Sequence, residues 1–88
     1  MKIKQGFSLK KINGESVIVC DKAINPDFNS VITLTDTSVI LWNMLINGNA
    51  TKEKMLQELL SKFDISTVLA LNDIDVFIKT LKLNGILE

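Results

Sequence analysis

The pattern of apolar and polar positions divides the chain into a strand-like first part and a helical second part, joined by the stretch Leu34 to Gly48. Short apolar runs at Phe7 to Ile12 and Ser16 to Asp21 flank Asn13-Gly14. Asn-Gly between two such runs is the strongest short-range sign of a type I′ hairpin, so these segments are expected to pair as strands one and two. SVIVC does not alternate, which points to a second strand covered on both faces. Lys22 to Asn29 contains the only Pro and reads as an irregular connection to a third short strand, Ser30 to Leu34. There Ile32 and Leu34 are expected to face the core, and Val31 and Thr33 to face away. The outer edge of this strand is expected to be free, either blunted or used to bind an extended peptide.

From about Asp36 the period changes to that of a helix. At 100° per residue Ser38, Leu41, Trp42 and Leu45 fall on one face, and Asp36, Ile40, Asn43 and Asn47 on the other. Thr35 is a suitable N-cap and Gly48 a left-handed stop. Thr51 then caps a second helix whose apolar face is Met55, Leu56, Leu59, Leu60 and Phe63, with Glu58 four residues before Lys62 on the solvated side. Ser66 caps a long third helix ending near Asn84, with Gly85 as its left-handed residue and Ile86 and Leu87 folding back. The main apolar face of this helix is Ala70, Leu71, Ile74, Phe77, Ile78 and Leu81. A second stripe, Leu69, Val76 and Leu83, recurs every seven residues with Asp73 and Thr80 beside it; it either packs against the hairpin or is offered to a partner.

Composition narrows the function. Eighty-eight residues make one domain, with residues 1–6 an N-terminal arm. Ten Lys balance ten Asp plus Glu, and there is no Arg, the side chain best suited to bidentate phosphate or guanine contacts. Nucleic acid is therefore not an expected partner. No segment approaches the roughly 20 apolar residues that cross a bilayer, and the N-terminus has no apolar signal region, so a cytoplasmic protein with no membrane partner is expected. Cys20 is the only cysteine and reads as core filler.

Candidate catalytic chemistry is sparse. With no His there is neither a Ser-His pair nor the commonest metal ligand, and one Cys cannot build a thiolate zinc site. Asp73 and Asp75 are two apart on a helix and point in different directions. The four glycines are too scattered to cradle a phosphate. A non-enzyme without cofactor or metal is expected.

The order of three strands then three helices, the junction VITLTDTSVILWNML, the threonine-led NGNATKEKMLQELLSKFDIS and the closing DIDVFIKTLKLNGILE together resemble the PqqD family. The most specific elements are Leu34, Trp42, Asp73 with Ile74, Phe77, Ile78 and Leu81, and the terminal Gly85-Ile86-Leu87. The family commonly has an aromatic and Asn-Glu at the junction, where this chain has Val31, Thr35 and Asp36.

The resemblance implies a small winged-helix-like α+β domain, also called a RiPP recognition element, with a three-stranded antiparallel sheet followed by three helices. Such a domain is a peptide chaperone. It binds the leader of a ribosomally made precursor peptide and presents it to a modifying enzyme, in the founding setting a radical S-adenosylmethionine enzyme of pyrroloquinoline quinone synthesis. The leader pairs as an added strand on strand three beside helix three. Joined to the free edge and the spare stripe, this makes Ser30, Val31, Ile32, Thr33 and Leu34 the main-chain partners, and Leu69, Asp73, Val76, Thr80 and Leu83 the side-chain contacts. A monomer or weak homodimer is expected. Two other classes stay open: a winged-helix-like regulator, and a self-associating interaction module.

Overall fold

The computed structural model describes all 88 residues. The elements are β1 (Phe7–Ile12), β2 (Glu15–Cys20), β3 (Ile32–Leu34), α1 (Asp36–Ile46), α2 (Lys52–Lys62) and α3 (Thr67–Leu83). The sheet is antiparallel in the order β1-β2-β3. Asn13 and Gly14 both take positive φ, 51° and 80°, the pair of angles that a type I′ turn requires, and Ile12 faces Glu15 across it.

Each helix begins where a hydroxyl can accept an otherwise unbonded amide. Thr35 Oγ1 accepts from the Ser38 amide at 3.3 Å, Thr51 Oγ1 from Lys54 at 3.1 Å and Ser66 Oγ from Leu69 at 3.1 Å. The end of α3 is a Schellman motif: Gly85, at φ 69°, donates to Lys82 O at 3.1 Å, and Ile86 donates to Leu81 O at 2.9 Å. That reversal drives Ile86 and Leu87 into the core.

The core lies between the helices and one face of the sheet. Leu41 and Trp42 of α1, Met55 and Leu59 of α2, and Ile74 and Leu81 of α3 are 2% exposed or less, and Phe7 and Ile18 close it from the sheet. Ile32 and Leu34 face it, as their alternation requires. No helix is long and apolar enough to cross a membrane.

The structure departs from the sequence reading at several places. β3 is three residues long, so Ser30 and Val31 precede the strand. Only Ile18 of β2 is buried; no second layer covers Val17 and Val19, and Cys20 is half-buried, its Sγ 3.5 Å from Asn25 O. Ile40 packs partly against the core instead of facing water with Asp36. Leu71, assigned to the inner face of α3, is 41% exposed, because at 100° per residue it lies about 75° round the helix from the centre of the buried stripe of Ala70, Ile74, Phe77, Ile78 and Leu81. Residues 1–6, the N-terminal arm, run beside the C-terminus: Lys4 donates to Ile86 O at 2.7 Å and Glu88 to Lys2 O at 2.8 Å, and Ile3 bridges Leu87.

Candidate peptide-binding site

The edge of β3 is unpaired, and the ladder decides which groups it presents. Antiparallel pairs alternate between bonded and non-bonded, so each residue of a central strand bonds to one neighbour only. The turn closes on the Ile12 and Glu15 pair, and the Asp21 amide still donates to Gly6 O at 2.8 Å, so the odd-numbered residues of β2 bond to β1. Ser16 and Ile18 therefore bond to Leu34 and Ile32. Thr33, opposite Val17, is left with its N–H and C=O directed away from the sheet, and the C=O of Val31, opposed to the Ile32 N–H across their shared trans peptide, points the same way. Neither makes any other main-chain hydrogen bond.

Two hydrogen bonds fix how this edge lies against α3. At one end Ser30 Oγ donates to Asn84 Oδ1 at 2.7 Å; at the other Thr37 Oγ1 donates to Asp73 Oδ2 at 3.4 Å. Rising numbers along β3 thus run against falling numbers along α3. Between these pins α3 presents Val76 and Thr80. Leu69, Asp73, Val76, Thr80 and Leu83 are spaced by four and three alternately, which places all five on one side of the helix.

The outer stripe remains in water. Leu69, Val76 and Leu83 are 56%, 55% and 76% exposed, and Val31 beside them is 85% exposed. The alternative in which this stripe packs against the hairpin is not what the chain adopts. Asp73 and Thr80 are half-buried and partly engaged: Thr80 Oγ1 donates to Val76 O at 2.8 Å, and Asp73 accepts from Thr37. Asp73 keeps its second carboxylate oxygen for another donor, whereas Thr80 keeps only acceptor capacity. Of the ten residues expected at the site, Ser30 is drawn into the clamp on Asn84, and Ile32 and Leu34 turn their side chains to the core and spend their main-chain groups on β2.

Three features that adjoin these residues were not part of the sequence reading. Asn84, read only as a helix end, holds Ser30 and also donates through Nδ2 to Thr80 O at 2.8 Å. Thr37 was not singled out from the first turn of α1. The third is a depression of about 510 Å³ beside Ser30 and Leu83, walled by Phe7, Ile24, Pro26 and Phe28. Phe7 and Phe28 meet edge to face with centroids 4.9 Å apart. The only Pro, Pro26, two residues before Phe28 in a largely polar connection, was the available signal.

Two solved structures share this architecture. One, TbiB1 in complex with the TbiA(beta) leader peptide, is 18% identical with a TM-score of 0.77, covering 100% of this chain and 95% of that one. The other, lasso peptide synthetase B1 complexed with the leader peptide, is 20% identical with a TM-score of 0.74, covering 97% of this chain and 93% of that one. At these identities the likeness is one of fold. No curated protein matches the chain in sequence. The family model described as coenzyme PQQ synthesis protein D (PqqD) matches residues 23–87, from the irregular connection through the Schellman tail, and so this chain belongs to the PqqD family.

Proposed function

We propose that the protein, acting over residues 1–88 as one peptide-binding domain, takes up the leader segment of a ribosomally made precursor peptide and presents it to a modifying enzyme. The observation that carries this reading is the juxtaposition just described: unpaired main-chain groups of Val31 and Thr33 alongside an exposed apolar stripe of α3. An extended leader adds a strand through the main chain, an interaction largely indifferent to the side chains of β3. Selectivity comes from α3, where Val76 and Leu83 receive apolar side chains on one face of the leader and the free oxygen of Asp73 accepts a donor. Both fold neighbours are complexes with leader peptides, which supports the same class of occupant here. The protein's part is binding and presentation, and catalysis belongs to the partner; a radical S-adenosylmethionine enzyme is the type that membership of this family suggests.

The test is calorimetry with a leader encoded beside the protein, alongside thermal melts. Val76→Asp with Leu83→Asp puts charge where the leader must exclude water. The expected outcome is an unchanged melt and no measurable binding. A double variant that stays folded and binds like the parent places the groove elsewhere.

A further inference from the structure

The sheet has a second free edge, along β1. Gly6, Ser8, Lys10 and Ile12 bond to β2, so the main-chain groups of Leu9 and Lys11 point away from the sheet, and neither makes any other main-chain hydrogen bond. The charge on the edge strand itself is one-sided: Lys10 and Lys11 are the only charged residues of β1, in a chain whose net charge is zero. Lys10 lies on the outer face of the sheet with Val17, whereas Lys11 lies on the face of Ser16 and Leu34, so the two lysines flank the edge from both sides.

We infer that the β1 edge is a docking site for an extended acidic segment of a partner protein, added as a fourth strand with carboxylates beside Lys10 and Lys11. A planar anionic surface fits less well, because lysines on opposite faces cannot both meet one plane. A second copy fits less well too, since antiparallel pairing of β1 with itself would bring lysines towards lysines. Strand addition meets the open main chain and both charges at once. An apolar residue of the segment, two positions beyond the carboxylate beside Lys11, would cover the half-exposed Leu9. This edge lies across the sheet from β3, so both edges can be occupied together, and the inference stands whether or not the occupant of β3 is a leader.

The experiment uses the full chain labelled with nitrogen-15 and two capped peptides, one containing Glu-Glu-Val-Thr-Val and one with Lys in place of each Glu. The acidic peptide is expected to shift the amides of Leu9 and Lys11, to leave Thr33 unmoved, and to bind at least tenfold more tightly than the basic one. Lys10→Glu with Lys11→Glu should reverse that preference without altering the melt, since both side chains are exposed. Equal response to the two peptides, shifts confined to β3, or no shift at millimolar peptide overturns the inference. So does concentration-dependent protection of Leu9 and Lys11 in the free protein, which would assign the edge to a second copy. Sedimentation with anionic lipid vesicles without any peptide response would assign the lysines to a lipid surface and overturn it equally.

Discussion

Helix α3 holds Ile74, Phe77 and Leu81 to 3% exposure or less on one side, while Leu69, Val76 and Leu83 on another keep more than half of their surface in water. The residue types are the same, so hydrophobicity does not distinguish the two faces. What distinguishes them is which neighbour arrives: α1, α2 and the reversed tail cover the inner face, whereas no element packs over the outer one. A single exposed apolar side chain is ordinary on a protein surface. Three at heptad spacing beside an unpaired sheet edge form a surface that lowers its free energy by taking a partner. One face therefore stabilises the fold, and the other is available for recognition.

The largest effect separating the two faces is on stability. Trp42→Ala and Phe77→Ala should each lose about 3 to 5 kcal/mol, since both rings are almost fully enclosed and the cavities left behind cannot collapse completely. A domain of this size has roughly 4 to 13 kcal/mol in total, so either variant should show a sharply lowered midpoint in chemical denaturation. A variant of Trp42 that melts like the parent but loses its partner would move this residue from the core to the site.

Smaller changes sharpen the outer face. Val76→Ala and Leu83→Ala should shift unfolding by no more than about 0.5 kcal/mol, as surface truncations do. Each should weaken leader binding by about 1 to 2 kcal/mol, from the apolar area no longer covered. Calorimetry and denaturation on the same samples separate the two effects. Loss of stability without loss of affinity would mean that the stripe belongs to the core after all.

Much of the fold was legible because it is local. The Asn13-Gly14 turn, the caps Thr35, Thr51 and Ser66, and the Gly85 reversal each depend on residues within five positions of one another, and each forms as its sequence implies. The missed features depend on distant partners. β3 is shorter than its apolar run because Ser30 is held by Asn84, fifty-four residues away, and residues 2–4 are ordered by residues 86–88. Periodicity located the outer stripe of α3 but could not say whether it was covered, because a second apolar stripe reads the same in either case. The depression at Phe28 lay furthest from view, since it is assembled from β1, an irregular connection and the end of α3.

The smallest expected effect lies at the boundary between the two faces. The Ser30 to Asn84 hydrogen bond is exposed, and Asn84 spends its amide on Thr80 O, so the pair joins the approach to β3 to the last turn of α3. A neutral hydrogen bond of this kind is worth about 0.5 to 1.5 kcal/mol, and exposure places this one at the low end. Ser30→Ala should therefore cost no more than about 0.5 kcal/mol in stability. Its consequence for binding should be larger, because a loosened Ser30 frees Val31 and Thr33 to move relative to Val76 and Leu83, and the leader must then order that segment as it binds. Asn84→Ala should reproduce the loss of affinity, and the double variant should be no worse than either single one, since both remove the same contact. Additive losses in that cycle would mean that Ser30 and Asn84 meet the leader separately, and that the clamp between them does not set the width of the groove.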